Sequence, residues 1–441
     1  MSTAKVAKFQ PQAETLPLLQ GWQPPAEPDW LAASRRRAEA WLGERGLPHK
    51  KLEAWKYTDL GKLSDFVPVP RAPHGLRAAD LPEPIIEGAA RLVVVDGLFD
   101  AGLSDLADLG DGVRLSGLRE AIAAEEEAMR TRLESRLDGA DLAPAEGMRV
   151  LNAARFEDGA ALHIGKGKAA ARPLEILVIT TGGVAAHPVL LLWLESQAEA
   201  TVVERHMAIG DTAPALNNPV AHVRLEAAAR LRHYRLQDDG LEAFHTATND
   251  ISVGRDAEYE GFTLSTGAGL SRNQIRAELT AEGGTCRLNG AYVMAGEQHC
   301  DTASVIEHSA PHCTSDQTYI GVLDDAAHGV FQGLIYVHPE AQKTDGYQLN
   351  RALLLSKKAE IDSKPQLEIY ADDVQCSHGA TCGQLDETAL FYLRSRGISR
   401  AAAERLLIRS FIAEAFDTIR DEAVRNAFAE IADARLAKGH P

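Results

Sequence analysis

The sequence predicts a mainly β protein whose β core lies between two helical regions. Between residues 148 and 384, short apolar or alternating segments such as LEILVITTG and PVLLLWLE are separated by turn residues, which is typical of successive strands. No long pattern with a helical period interrupts them, whereas such patterns occur on both sides of this region. We therefore divide the chain into a mostly helical N-terminal region with a proline-rich connector (1–147), a β core (148–384) and a C-terminal helical region (385–441).

The N-terminal region begins with a predicted helix. Asp29 can cap a helix that runs through WLAASRRRAEAWLGER, and Gly46 followed by Pro48 can end it. Residues 68–84 are rich in proline and are expected to form a connector. A strand and then a charged helix are predicted after this connector, at Ala89–Val95 and Leu115–Leu137.

A glycine-centred phrase recurs within the predicted β core. Tyr259-Glu260-Gly261, Leu288-Asn289-Gly290 and Phe331-Gln332-Gly333 are each followed by apolar residues, at intervals of 29 and 43 residues. Because the interval is not fixed, the pattern allows a stacked β-solenoid with turns of variable length and equally a β-sandwich.

The C-terminal region is predicted to be helical. Asp386 can cap a short helix that ends at Gly397, and Ser399 can cap a longer one. The longer helix carries two adjacent apolar rows, formed by Leu407, Phe411 and Ala415 and by Ile408, Ile412 and Phe416. Such a broad stripe must pack on another surface, and its pattern alone favours the protein's own β core over a partner.

Composition favours a water-soluble protein of a reducing compartment. The 46 basic and 63 acidic residues give a net charge of −17, which opposes binding to nucleic acid or to an anionic membrane. The longest apolar run, Val189 to Leu194, is too short to span a bilayer. Five cysteines without secretory spacing, and an N-terminus without the apolar segment of a signal peptide, lead us to expect a cytoplasmic protein.

The densest group of chemically reactive side chains lies between residues 370 and 398. If the segment from Val374 to Gly383 is extended, Cys376 and His378 point to the same side, and Cys382 joins them if the strand stays regular. A thiolate beside an imidazole can form a soft metal or cluster site or a nucleophilic pair. Spacing alone does not choose between these, and a structural pair is the commoner case, since a metal site needs further ligands.

Other candidate sites are weaker. Adjacent residues on a strand face opposite sides, so His299-Cys300 and His312-Cys313 can each offer only one ligand to a common site. Cys286 is expected to be a small buried residue. The sequence contains no C-x-x-C and no G-x-x-x-x-G-K-[ST] phosphate loop, so any ATP hydrolysis must lie on another chain.

Two motifs carry a family resemblance. Residues 371–398, ADDVQCSHGATCGQLDETALFYLRSRGI, resemble the C-terminal core of the SufB/SufD family of iron-sulfur cluster assembly scaffolds, and LEAWKYTDL at residues 52–60 resembles a stretch near the start of its SufD branch. ELTAEGGTCRLNGAY, QKTDGYQLNRALLLS and KPQLEIYADDV are also similar to the family. The SufB branch carries E-H-E-A-T where this chain has SHGAT, which favours the SufD branch. Cys382 departs from the family pattern, which has a small aliphatic residue there.

The resemblance implies a fold and a role. It implies a right-handed parallel β-helix and a non-enzymatic scaffold that pairs with a SufB-like paralogue. It also implies that His378, with Cys376 beside it, contributes to iron entry and to a transient iron-sulfur cluster at the paired edges. The C-terminal helices, including Leu407, Ile408, Phe411 and Ile412, would bind a SufC-type ABC ATPase.

The resemblance further implies that a cysteine desulfurase and its carrier supply sulfur, and that any flavin belongs to the complex. The isolated chain could form a homodimer, because solenoid ends expose unpaired strand edges. Two alternatives stay open. The chain could be the SufB-type half, or a stand-alone β-helix enzyme acting on polysaccharide or acyl substrates.

Overall fold

Two long sheets, wound together as a β-solenoid of about eight turns, dominate the computed structural model, which describes residues 17–20, 22–137, 142–210 and 213–439. The strands are β1 Ala90–Val95, β2 Leu98–Phe99, β3 Val113–Gly117, β4 Gly159–Ile164, β5 Leu174–Thr180, β6 Ala185–Ala186, β7 Val189–Leu194, β8 Glu199–Ala208, β9 Leu216–Asn217, β10 Val220–Leu225, β11 Arg230–Asp238, β12 Phe244–Val253, β13 Glu258–Ser265, β14 Leu270–Leu279, β15 Thr285–Met294, β16 His299–His308, β17 Thr314–Leu323, β18 His328–Val337, β19 Asp345–Leu354, β20 Glu360–Ile369 and β21 Gln375–Gly383.

The chain alternates between the two sheets. The first sheet has the order β2-β1-β5-β8-β11-β13-β15-β17-β19-β21, and the second has the order β20-β18-β16-β14-β12-β10-β7-β4-β3. Among the described strands only β1–β2 and β3–β4 pair in antiparallel fashion. Successive turns therefore stack in parallel, as in Asp345 pairing with Gln375 one turn later. The predicted parallel β-helix is confirmed, and the β-sandwich is excluded.

Apolar side chains stack in columns inside the solenoid. One column of the second sheet runs through Leu192, Val223, Ile251, Ala277, Ile306 and Ile335, all almost fully buried. Burying apolar surface in this way is the main source of stability, at about 25 cal/mol per Å2. The column ends at Leu367 of β20, which is half-buried because β20 is the last strand of the second sheet within the described residues.

The recurring glycines fill positions where the interior has no room for a side chain. A Cβ at Gly290 would lie 2.5 Å from the Tyr319 ring, and one at Gly333 would lie 1.9 Å from Nε2 of Gln348. Both residues belong to strands, so the glycine signal reflects close packing of interior side chains rather than turns.

Eight helices lie within the described residues: α1 Asp29–Arg45, α2 Gly61–Ser64, α3 Leu118–Ala124, α4 Glu126–Leu137, α5 Gly147–Arg155, α6 Glu387–Ser395, α7 Arg400–Phe416 and α8 Glu422–Gly439. None of them is long and apolar enough to cross a membrane. The predicted first helix is present, and Gly46 ends it with a positive φ of 70°. Its cap differs from the prediction, because Pro28 holds the cap position and Asp29 is already helical.

The prediction of a single helix over Leu115–Leu137 is wrong. Its first residues belong to β3, and Glu125, with φ −138° and ψ 52°, separates α3 from α4. The charged composition is typical of a helix throughout, so it indicated neither the short strand nor the break at Glu125. β1 and β3, which precede residue 147, also belong to the two sheets, and α5 begins at Gly147 and crosses the proposed boundary. The proposed division into three regions stays a prediction.

The C-terminal helices cover the outer face of the first sheet. Asp386 and Ser399 cap α6 and α7 as predicted, through hydrogen bonds to the N–H groups of Thr388 and Ala402. An apolar cluster joins α7 and α8 to the sheet, through Ile408, Ile412 and Phe416 of α7 and Phe428 of α8 on one side and Tyr234, Phe262, Ala291 and Ile320 on the other. The expected docking of the broad apolar stripe on the β core is therefore observed for its most buried residues.

Residues 52–60, which we call the N-terminal clasp, fasten the N-terminal region to the second sheet. Trp55 is fully buried and donates a hydrogen bond from Nε1 to the carbonyl of Ala145. The Arg272 guanidinium lies 3.9 Å from the centre of the Trp55 ring and pairs with Asp301, which Thr58 also contacts. The family-like motif therefore has a structural role in this chain.

A polar network lies inside the solenoid beside the apolar columns. The buried Glu204 carboxylate accepts hydrogen bonds from His206 and His233. Burial opposes its ionisation, but these bonds hold the pKa of Glu204 well below its usual value. Farther along, burial lowers the pKa of His308 to about 4, and its imidazole contacts the hydroxyls of Ser315 and Thr344.

Replacing Trp55 tests the clasp. Trp55→Ala should lower the free energy of unfolding by about 3–5 kcal/mol, because it removes a buried ring and leaves a cavity. Lys56→Ala, an exposed change in the same motif, is the matched control and should stay within about 0.5 kcal/mol of the wild type. Urea denaturation followed by circular dichroism measures both. Equal stability of the two variants would show that the clasp does not hold the fold.

His308 should make stability depend on pH. Between pH 6.5, the unperturbed value, and about pH 4, the unfolded chain takes up a proton that folded His308 does not. The free energy of unfolding therefore falls as the pH is lowered through this window, by roughly 1–3 kcal/mol from this residue. Stability measured from pH 7 to pH 4 should fall less steeply in His308→Gln. The exposed His49→Gln is the control, and an unchanged slope in His308→Gln would contradict the assignment.

Candidate functional site

The solenoid ends openly after β20 and β21. Among the described strands, β21 pairs only with β19 in the first sheet, and β20 pairs only with β18 in the second. Side chains of these two strands are exposed or half-buried, whereas those of the preceding strands are largely buried. This end is the part of the β core at which the next turn is missing.

β21 carries the thiol and imidazole groups singled out in the sequence. The strand is regular from Gln375 to Gly383, so Cys376, His378 and Cys382 share one face. Cys376 continues an interior column that includes the core residue Cys286, so this face points toward the open interior. Cys376 is half-buried, while His378 and Cys382 are exposed at the end.

Two glutamines lie directly beneath His378. Its partner in the register is Gln348, whose Nε2 donates a 2.8 Å hydrogen bond to Oε1 of Gln317 one turn below. Both glutamines are fully buried, and Oε1 of Gln348 has no hydrogen-bond partner within the described residues. Sequence reasoning missed them. Their spacing of 31 and 30 residues from 317 to 348 to 378, one turn each, is the signal that could have found them.

The site offers two soft donors but no complete metal site. Burial raises the pKa of the Cys376 thiol, so it is protonated at neutral pH until a metal displaces its proton. Across the described residues, no group of three or more His, Cys, Asp or Glu side chains is placed to hold a metal ion. Cys376 and His378 by themselves supply fewer ligands than an iron-sulfur cluster takes.

The other cysteines lie inside the solenoid. Cys286, Cys300 and Cys313 are buried, and burial raises the pKa of Cys286 and Cys300 to about 12. Cys286 is a core residue, as expected. His299 contacts Thr58 of the clasp and the His328 ring, while Cys300 packs in an apolar cluster with Tyr292 and Met294.

The proposed partner-binding residues of α7 differ in exposure. Ile408 and Ile412 are buried against the first sheet, while Leu407 and Phe411 are half-buried. Large apolar side chains that face solvent lie nearby: Phe391 and Tyr392 on α6 are 73% and 58% exposed, and Leu406 on α7 is 48% exposed. Leu406 lines a groove of about 380 Å3 between α7 and α8. The assignment of this region to a partner stays a prediction.

Two protein-family models together match nearly the whole chain. Residues 177–411 match the model of the SufBD core domain, described as SUF system FeS cluster assembly. Residues 25–176 match the model of the SufBD protein N-terminal region. The two matches include both the clasp and the open end.

Individual proteins similar to this chain come from the same family. The Escherichia coli iron-sulfur cluster assembly protein SufD is 34% identical over 409 residues, covering 89% of this chain and 90% of that protein. A Synechocystis SufBD family protein is 34% identical over 404 residues, covering 88% and 87%. The chloroplastic protein ABCI7 of Arabidopsis thaliana is 31% identical over 242 residues, covering 55% and 51%. With its solenoid fold and both motifs, the chain belongs to the SufBD family of iron-sulfur cluster assembly proteins.

Proposed function

We propose that this SUF-system scaffold is the SufD-type subunit, which pairs with a SufB-like subunit across the open end and completes a nascent cluster site there. One observation carries the proposal. Cys376 and His378 lie on the last strand of the solenoid, where the backbone edge is free and the described part of the chain supplies no third ligand. A half-site at an unpaired edge is what a shared interface site requires.

The chemistry of the two donors suits a cargo that must leave. Thiolate and imidazole are both established iron-sulfur ligands, and replacing thiolate with imidazole changes the cluster's charge and potential. Because His378 is exposed, it can approach iron without unfolding its own strand. Because the Cys376 thiol has a raised pKa, iron must compete with a proton there, which weakens the hold of the site.

We propose that the energy for cluster assembly comes from ATP hydrolysis by a SufC-type ABC ATPase bound to the C-terminal helices. Phe391 and Tyr392 on α6 and Leu406 on α7 have exposed side chains, and α7 is buried on its other side against the first sheet. These exposed side chains support an additional apolar contact surface. Leu407 and Phe411 are half-buried at its margin, and buried Ile408 and Ile412 would act through the position of α7. Closure of the ATPase would then be transmitted through α7 and the first sheet toward β21.

The remaining components act on the complex. Sulfur would come from a cysteine desulfurase and its carrier, and this subunit would contribute to iron entry through His378. A flavin, where one takes part, is assigned to the complex and not to a residue of this chain. The chain itself is proposed to be non-catalytic. It contains no phosphate loop, which leaves ATP hydrolysis to the partner.

Substitution of His378 tests the site. His378→Ala should leave the stability of the isolated chain within about 1 kcal/mol, because the exposed imidazole packs against little of its own chain. The complex of this variant with the SufB-like and SufC-like subunits should form but accumulate less iron and acid-labile sulfide. Anaerobic isolation, iron and sulfide analysis and visible absorption measure this.

Cys382→Ala is the matched control for His378→Ala, since it is exposed on the same face of β21 and departs from the family pattern. It should mature clusters at nearly the wild-type rate. Wild-type cluster formation by the His378→Ala complex would show that His378 is not a ligand. Unfolding of the isolated variant would make His378 a structural residue.

Charge placed on the exposed helical surface tests ATPase binding. Leu406→Asp should weaken association with the SufC-type subunit by about tenfold to a hundredfold, since one buried leucine is worth about 1.5–3 kcal/mol. Thermal unfolding should not change. Ile408→Asp, on the buried side of the same helix, should instead lower the unfolding temperature. Calorimetric binding of Leu406→Asp at wild-type affinity would place the ATPase elsewhere.

A further inference from the structure

The two strand edges at the open end are not equivalent. In a parallel sheet, successive residues direct their N–H and C=O groups alternately to the two sides of the strand. On β21, the N–H of Gln375 donates a 2.8 Å hydrogen bond to the carbonyl of Thr344, which leads into β19. The odd-numbered residues of β21 therefore face β19. The free edge presents the N–H and C=O groups of Cys376, His378, Ala380 and Cys382.

The edge of β20 has the opposite parity. The N–H groups of Glu360 and Tyr370 donate 3.0 Å hydrogen bonds to the carbonyls of Ala327 and Val337, at either end of β18. The even-numbered residues thus face β18, and the odd-numbered residues face outward. Residue 365, in the middle of this outward series, is a proline. The free edge of β20 therefore has N–H donors at Ile361, Ser363, Leu367 and Ile369 but none at its centre.

The position of Pro365 affects hydrogen bonds to another molecule but not the hydrogen bonds that hold β20 in the fold. Proline cannot donate to a strand ladder, and an even-numbered position would have cost β20 a hydrogen bond to β18. At position 365 the inner ladder is complete, with Pro365 opposite Gly333. Only the outward ladder loses a donor. β21, which carries Cys376 and His378, keeps every outward donor along its free edge.

We propose that Pro365 is a pairing-specificity residue that directs strand addition at the open end to β21 and disfavours self-pairing along β20. This inference rests on the proposed pairing of this end with a SufB-like solenoid. Natural proteins often place proline on exposed edges to prevent unwanted pairing. The penalty is largest for a second copy of this chain. In a two-fold symmetric pair, each β20 lacks the same donor, so the loss occurs twice.

The test restores the missing donor. Pro365→Ala should strengthen self-association of the isolated full chain by about tenfold or more, since each edge hydrogen bond can contribute up to about tenfold. Sedimentation velocity over a concentration series measures the association. Amide hydrogen exchange of the associated variant should show new protection at Ser363 and Leu367. Ser363→Ala is the matched control, because its outward N–H is present before and after the change.

The outcomes separate this inference from the function on which it rests. If the wild-type chain does not bind a SufB-like subunit, the proposed function fails whatever Pro365 does. If it binds, yet Pro365→Ala self-associates no more strongly than the wild type, the pairing role of Pro365 is overturned. Stronger association without protection at Ser363 and Leu367 also overturns it. Pro365→Val, which restores the donor with a side chain that favours strands, decides the question if the alanine variant unfolds.

Discussion

The structure depends on one constraint, which is that the backbone N–H and C=O groups of each strand pair with the turn before and the turn after. This pairing lets the chain stack turn upon turn, and it aligns side chains of successive turns into the columns that form the apolar core. It also means that the last turn has no following turn with which its outward N–H and C=O groups can form hydrogen bonds. The free edges of β20 and β21 are therefore a necessary consequence of the fold, and the chain has to leave them to solvent or share them with another strand.

The two ends of the solenoid meet this constraint differently. At the N-terminal end, the short strands β2 and β3 turn back in antiparallel pairing and close the first turns. The clasp and the C-terminal helices cover the outer faces of the two sheets. At the other end, the side chains of β21 are exposed or half-buried. Cys376 and His378 lie on this exposed strand. The thiol and the imidazole are therefore on the same strand as the free N–H and C=O groups of the sheet edge.

Local signals were sufficient for much of this account. Side-chain caps at Asp386 and Ser399 predicted two helices because each cap depends on only a few neighbouring residues, and the two-residue period placed Cys376 and His378 on one face. The direction in which strands pair is a long-range property, so the pattern could not separate a solenoid from a sandwich. Gln348 went unnoticed for the same reason: it matters because of the residue one turn away, which only the register identifies.

The central claim is that an imidazole of this chain binds a cluster shared across the open end. The most direct measurement is pulsed electron paramagnetic resonance on the assembled complex, with 15N-histidine in this chain only and the nascent cluster reduced to a paramagnetic state. The account predicts a 15N hyperfine coupling that disappears when His378 is replaced by alanine. A paramagnetic cluster without 15N coupling, or with coupling that survives the replacement, would contradict it.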